Sequence, residues 1–313
     1  SAGLLFAVCL LFVGPSLRLS TDNLPLGCAV AILYLIDRDE KSSAYGFALA
    51  IFLAVIAVLT RQLYLWLVPV LGLYALANSK WSVTGRVIAA SASIIPLLCV
   101  LPFFLLWHGL TNPQMAHKHE LRAGLIYGKG LVLIFCILAT YAIAFAPSTL
   151  RSLWPQEMQG RVALLVTGVV AVAILPMFHA YAGSYSVPTE GGWIREAAQH
   201  TPVVFHIWSL FWILFPVGCV VFVAMFYQTL TTRREVWILV AFGFWIIANV
   251  MQSRAIAKYY EPFEIVVVGR YAVTMRSEWW DSIPAWMLIA LFVVVDIFRF
   301  WIGAPWASPP LHL

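Results

Sequence analysis

Apolar stretches of helix length follow one another along almost the whole chain, broken by short polar turns. Nothing else in the sequence constrains the fold as strongly. A helix needs roughly 20 residues, at about 1.5 Å each, to cross the hydrocarbon of a bilayer. The pattern predicts ten spans, near 2–16, 24–36, 44–60, 63–78, 85–107, 128–147, 162–181, 203–227, 236–252 and 284–303. The composition agrees: 62% of residues are hydrophobic and 11% are charged. A soluble domain carries roughly a quarter charged residues, and so little polar side chain cannot cover a water-facing surface. The expected architecture is all-α: a single polytopic transmembrane domain over 1–313, with an interfacial helix near the C-terminus and a lipid bilayer around it.

Several other classes fall away. The net charge of +5 is spread along the chain, and no basic run is dense enough for nucleic acid. Cys9, Cys28, Cys99, Cys136 and Cys219 all sit in apolar runs without CxxC spacing, so they read as small buried hydrophobes. The chain opens at Ser1 inside an apolar run that has neither a basic leader nor a cleavage pattern. The expectation is that a first helix and its loop precede it.

Ten spans would place the loops alternately on two faces. The loops near 37–43, 79–84, 148–161 and 228–235 are short and repeatedly basic, with pairs such as Arg38 and Lys41 or Arg233 and Arg234. The loops near 17–23, 61–62, 108–127, 182–202 and 253–283 lie on the other face and are mostly longer. The positive-inside rule weighs short loops most, which assigns the short basic turns to the cytoplasm.

The polar residues that interrupt the apolar runs gather on the long-loop face. Ser20-Thr21-Asp22-Asn23 precedes the second span. All four residue types cap helices by accepting bonds from orphan amides; the alternative is a functional Asp22 at the membrane surface. Thr60-Arg61-Gln62-Leu63-Tyr64-Leu65-Trp66 puts an Arg and a Gln into otherwise apolar sequence. Arg61 either snorkels beside an aromatic belt or offers a rigid fork of donors to a phosphate. His117-x-His119 has no third ligand nearby, so its loop reads as solvated and able to meet a lipid phosphate. Glu190-Gly191-Gly192-Trp193-Ile194-Arg195-Glu196 reads as a surface loop whose Trp lies at the interface or against a sugar ring. Asp296 and Arg299 read as a local helical pair.

After the ninth span come Lys258-Tyr259-Tyr260-Glu261-Pro262-Phe263 and then Gly269-Arg270-Tyr271. Rings beside cations suit an anionic, partly carbohydrate ligand. The other reading is an amphipathic helix along the membrane surface, anchored by Trp279 and Trp280. The two are compatible.

Pro15, the Ser-Thr-Asp-Asn segment, a span, a short basic loop, another span and then Leu-Thr-Arg-Gln-Leu-Tyr-Leu-Trp resemble the GT-C superfamily of multi-helix glycosyltransferases that use lipid-linked sugars. The order is most similar to the dolichol-pathway alpha-1,2-glucosyltransferase family. There a Tyr-Thr-Asp segment precedes a span and an Arg-Gln-Thr-Asn segment follows two spans later. Thr21-Asp22 and Arg61-Gln62 match, whereas Leu63-Tyr64 departs from Thr-Asn. Lys258–Phe263 is similar to the Arg-Tyr and Glu-Pro elements near the end of many such proteins.

The resemblance implies a polyprenyl-phosphate-linked sugar donor and a hydroxyl acceptor, on a glycan or lipid, at the non-cytoplasmic face. It implies a bacterial inner membrane or endoplasmic reticulum location. The substrate-binding set it suggests is Asp22, Asn23, Arg61, Gln62, Tyr64, Lys258, Tyr259, Tyr260, Glu261 and Arg270, with Arg61, Lys258 and Arg270 on the donor phosphate. The family's catalytic carboxylate follows its first helix and is expected upstream of Ser1; Asp22 then belongs to a later loop and reads as structural or substrate-orienting, with the catalytic role as its alternative. A divalent metal is compatible with the family, though no residue pattern here demands one. The competing classes are a transporter or lipid flippase, which needs charges near span centres and broken helices, and a non-catalytic membrane subunit.

Overall fold

A computed structural model describes residues 23–37, 44–107, 128–145, 154–180, 182, 192–232, 235–250, 257–274 and 287. Helix accounts for 87% of them. The expected span 2–16, the expected span 284–303 apart from Met287, Asp22, the His117/His119 pair, Glu190 and the Asp296/Arg299 pair lie outside the described residues.

Helices α1 (Asn23–Asp37) and α2 (Ala44–Thr60) pack closely as a pair. Their short connection makes them antiparallel, so Asn23 and Thr60 share one end of the bundle and Asp37 lies at the other. A 3₁₀ turn (Gln62–Trp66) leads into α3 (Leu67–Ala77). Helices α4 (Val83–Ala92) and α5 (Ile95–Trp107) are two parts of one rod. The rod breaks at Ser93–Ile94, just before Pro96, which has no N–H to continue the ladder. Next come α6 (Gly128–Phe145), then α7 (Met158–Ile174) with a 3₁₀ turn at Leu175–Phe178, and α8 (Gly192–Gln199). A hairpin of β1 (Val203–Val204) and β2 (Ile207–Trp208) precedes α9 (Ser209–Thr232), α10 (Val236–Val250) and α11 (Ala257–Thr274).

Helix α6 lies at the centre. Its Val132, Leu133, Ile134, Ile137, Leu138 and Tyr141 have no exposed surface. Helices α9 and α11 are its main partners, and α7 covers the far side of α9. Gly218 of α9 sits on the Phe135 backbone of α6: a Cβ there would lie 2.6 Å from the Phe135 carbonyl carbon. Small residues at such crossings let helix backbones approach closely.

Three stretches are long and apolar enough to cross a membrane: Val83–Leu106, Met158–Phe178 and Ser209–Thr232. Only 22%, 17% and 33% of their respective apolar windows are buried within the protein, so most of each faces outward. Exposed to water, apolar area costs about 25 cal/mol per Å², whereas a hydrocarbon surrounding removes that penalty. The expected spans between 24 and 252 each fall on a helix, but the others are shorter apolar helices, such as Ala44–Thr60 and Val236–Val250.

Sequence pattern misplaced three segments. The expected span 203–227 begins as the hairpin, with Val203 paired to Trp208 and Val204 to Ile207. Its two turn residues, Phe205 and His206, both have positive φ (49° and 65°), the geometry of a tight turn matching strand twist. The expected surface loop at 182–202 contains α8, whose Ile194 and Ala198 are fully buried. The expected interfacial helix near the C-terminus is corrected by α11, which is built into the bundle: Phe263, Glu264, Ile265, Val267 and Tyr271 are each at most 2% exposed.

Helix α4 starts with a defined cap. The Ser82 hydroxyl accepts a 3.1 Å bond from the Gly85 amide. Ser82→Ala should lower stability by about 1 kcal/mol, read as a drop in the melting temperature of the purified protein; Ser82→Asp should restore it.

Candidate functional site

Arg61 stands where α2 gives way to the 3₁₀ turn. Its amide still donates to the Ala57 carbonyl at 2.8 Å, and its own carbonyl accepts from the Tyr64 amide at 3.0 Å. Between those bonds its backbone is extended, with φ −148° and ψ 111°. The single extended residue turns the chain and leaves Arg61, Gln62 and Tyr64 half-buried at this end of the bundle.

The Trp66 ring, four residues beyond Gln62, packs on Phe263 with centroids 5.1 Å apart, and Phe263 packs on Trp245 at 5.2 Å. That contact brings the Arg61 segment to the first half of α11. The Trp66 indole nitrogen is buried and has no hydrogen-bond partner among the described residues. The α11 backbone carries Lys258, Tyr259, Tyr260 and Glu261 just before Phe263, and their side chains lie outside the described set. Asn23 opens α1 at the same end, with its side chain likewise outside the set. The fold therefore gathers Asn23, Arg61, Gln62, Tyr64 and the Lys258–Glu261 segment at one end.

Arg270 does not join them. Its Nη2 meets Asp37 Oδ2 at 2.5 Å and its Nε meets Glu235 Oε2 at 3.0 Å. Asp37 ends α1, and Glu235 stands directly before α10. Both mark the opposite end of the bundle from Arg61. Nine residues of helix separate Glu261 from Arg270, a rise of about 14 Å. One phosphate group cannot bridge that gap, so Arg270 is removed from the expected donor-phosphate set. Beside it, the Thr229 hydroxyl and the Tyr271 hydroxyl share a 2.5 Å bond. Glu235 holds a left-handed backbone, φ 57°, a conformation that costs a non-glycine residue about 1 kcal/mol or more. The turn aims its carboxylate at Arg270.

No protein-family model matches this chain, and no curated protein or solved structure is significantly similar to it.

Asp37, Glu235 and Glu264 are among the acidic residues that escaped the sequence reading. Asp37 and Glu235 fall in the short turns near 37–43 and 228–235, and their shared partner is remote in sequence. Glu264 did carry a signal, a lone acid immediately before Ile265-Val266-Val267-Val268. In the folded chain it has no exposed surface.

Proposed function

We propose that this chain is a membrane-embedded glycosyltransferase. It moves a sugar from a polyprenyl-phosphate-linked donor to a hydroxyl of a glycan or lipid-linked acceptor. The reading rests on one contact above all: Trp66 against Phe263, which draws the Arg61-Gln62 segment and the Lys258–Glu261 segment to one end of the bundle. These are two of the segments by which the chain resembles GT-C enzymes.

The chemistry then divides among residue types. The guanidinium of Arg61 and the ammonium of Lys258 hold the donor phosphate as the sugar leaves it, because charge-assisted bonds to phosphate strengthen as negative charge develops there. A carboxylate takes the proton from the acceptor hydroxyl; Asp22 is the candidate within this chain. Tyr64 and Tyr259 offer rings to the sugar. The short basic turns at the Asp37 end face the cytoplasm, which puts transfer on the opposite side of the membrane.

The test uses purified full-length protein with a polyprenyl-phosphate sugar. Release of polyprenyl phosphate should depend on the protein, and Arg61→Ala should slow it about tenfold, the scale of one lost charge-assisted bond. Unchanged turnover in that variant would remove Arg61 from the donor site.

One observation favours a second reading, a transporter or flippase. Such proteins place ionisable groups near the middle of the membrane, and Glu264 is fully buried well inside α11. Solute movement in vesicles without any release of polyprenyl phosphate would select that reading.

A further inference from the structure

We propose that the β1–β2 hairpin is a membrane-interface wedge, whose apolar tip of Val203, Val204 and Phe205 sits among lipids where acyl chains meet headgroups. The inference stands whether the chain transfers sugars or moves a solute.

The turn is the first observation. A two-residue hairpin turn with positive φ at both positions is normally made by Asn-Gly, Asp-Gly or Gly-Gly. Here the two residues are Phe205 and His206, and a left-handed backbone is strained for a bulky side chain. Packing within the protein does little to offset that strain: Phe205 is 79% exposed, and Val203 and Val204 beside it are exposed too. The other strand is the reverse, with Ile207 and Trp208 buried. The hairpin presents one apolar edge outward. Burying a Phe ring in hydrocarbon is worth more than a strained φ costs.

The hairpin is also braced. The Pro202 carbonyl accepts from the Ser209 amide at 2.8 Å, and the His206 carbonyl accepts from the Ala182 amide at 2.8 Å. The Val204 carbonyl accepts from the Trp212 indole nitrogen at 3.1 Å. The Phe205 ring stands edge-on to the Trp212 ring, with centroids 6.2 Å apart. Three backbone acceptors are thus satisfied without water. That suits a segment standing against lipid, where unsatisfied backbone groups are costly.

Position names the partner. The hairpin directly precedes α9, whose 24 residues rise about 36 Å, more than the roughly 30 Å of hydrocarbon in a bilayer. The start of α9 therefore reaches the headgroup layer, the level that Trp side chains favour, and Trp208 and Trp212 stand there. Helix α7 runs antiparallel to α9. The Tyr227 hydroxyl donates to Glu157, just before α7, at 2.8 Å, and Phe178, just past α7, packs on Phe215 with centroids 5.6 Å apart. The exposed Met177 thus reaches the same end as the hairpin, and Ile213 is exposed one turn into α9. The outward apolar faces of α7 and α9 continue into the tip, so the lipid that covers those faces covers the tip as well. Because α9 ends at Thr232, close before Glu235, its start lies at the Arg61 end. The wedge fixes the depth at which that end rests in the membrane.

Photocrosslinking reads the partner directly. Full-length protein carrying p-benzoylphenylalanine in place of Phe205 is purified, reconstituted in phosphatidylcholine vesicles, irradiated and analysed by mass spectrometry. The same probe in place of Leu165, exposed on α7, marks a lipid-facing site. The expected result is a mass shift of one phosphatidylcholine on the peptide that holds residue 205, as on the peptide that holds residue 165. Should the probe at 205 disturb folding, Val203 on the same tip carries it instead. Absence of the phospholipid adduct at the tip overturns the proposal. So does an adduct to another segment of this chain or to a second copy in its place, which makes the hairpin a protein contact. Absence at residue 165 as well removes the membrane reading of the bundle itself, so the two failures are told apart.

Discussion

Gly218→Ala is expected to lower the melting temperature of the purified protein sharply, a loss of about 3 kcal/mol or more. Ordinary overpacking in a core costs about 1–3 kcal/mol, because side chains can move aside. Here the obstacle is not a side chain. The added methyl would overlap the Phe135 backbone, 2.6 Å from its carbonyl carbon, so helices α6 and α9 would have to separate. Helix α6 is the most buried element, and α9 links it to α7. A shift at this crossing therefore disturbs packing on both sides of α9. Gly168→Ala, on α7, is the matched control. Its added methyl would meet only the Val220 side chain at 3.5 Å, ordinary contact distance. Equal melting temperatures for Gly218→Ala and wild type would mean that the helices do not cross this closely.

Arg270→Ala is expected to cost about 2 kcal/mol and to loosen one end of the bundle. The guanidinium joins Asp37 at the end of α1 to Glu235 before α10, while itself standing on α11. Its removal leaves two carboxylates close together, and Glu235 has a side chain only 6% exposed. Breaking a fully buried pair costs about 3–5 kcal/mol. Arg270 is 40% exposed, so solvent screening reduces the figure. The double variant Arg270→Ala/Glu235→Ala should recover part of the loss, because it removes the stranded carboxylate. Thermal unfolding of the single and double variants checks both statements, and unchanged stability in Arg270→Ala would show that the bridge contributes nothing. The proposed sugar transfer, where it is detected, gives a separate readout. Since Arg270 lies at the opposite end from Arg61, its loss should alter stability with little change in affinity for a donor phosphate.

Hydropathy alone located the core of the fold. The apolar run 44–60 coincides with α2, and the runs near 63–78, 128–147 and 236–252 fall on the following helices. These segments are readable because each apolar residue favours the same environment independently of its neighbours. Helix α11 was hidden for the opposite reason. Lys258, Glu261, Glu264 and Arg270 give it the polarity of a surface segment, yet Arg270 is satisfied by a residue 233 positions away in the chain. No local window contains that partner. The hairpin at 203–208 was hidden by a different ambiguity, since a short apolar run does not distinguish strand from buried helix. The Arg61 end was legible as a set of unusual residues, because an Arg and a Gln inside apolar sequence are conspicuous. What the sequence could not supply was which residues share an end, and that is what separates Arg270 from Arg61 and Lys258.

The three-helix bridge also bears on how such a chain is made. Synthesis delivers Asp37 early, Glu235 much later and Arg270 last. Each charged side chain at the centre of an isolated helix opposes entry into lipid by about 2.5–3.5 kcal/mol. The segment Ala257–Thr274, with four charges in eighteen residues, is poorly suited to leave the translocation channel alone. It gains a favourable place only against α1, α6 and α10 already assembled, where Asp37 and Glu235 wait as counter-charges. A chain cut off before residue 257 would lack Arg270, the partner that Asp37 and Glu235 share.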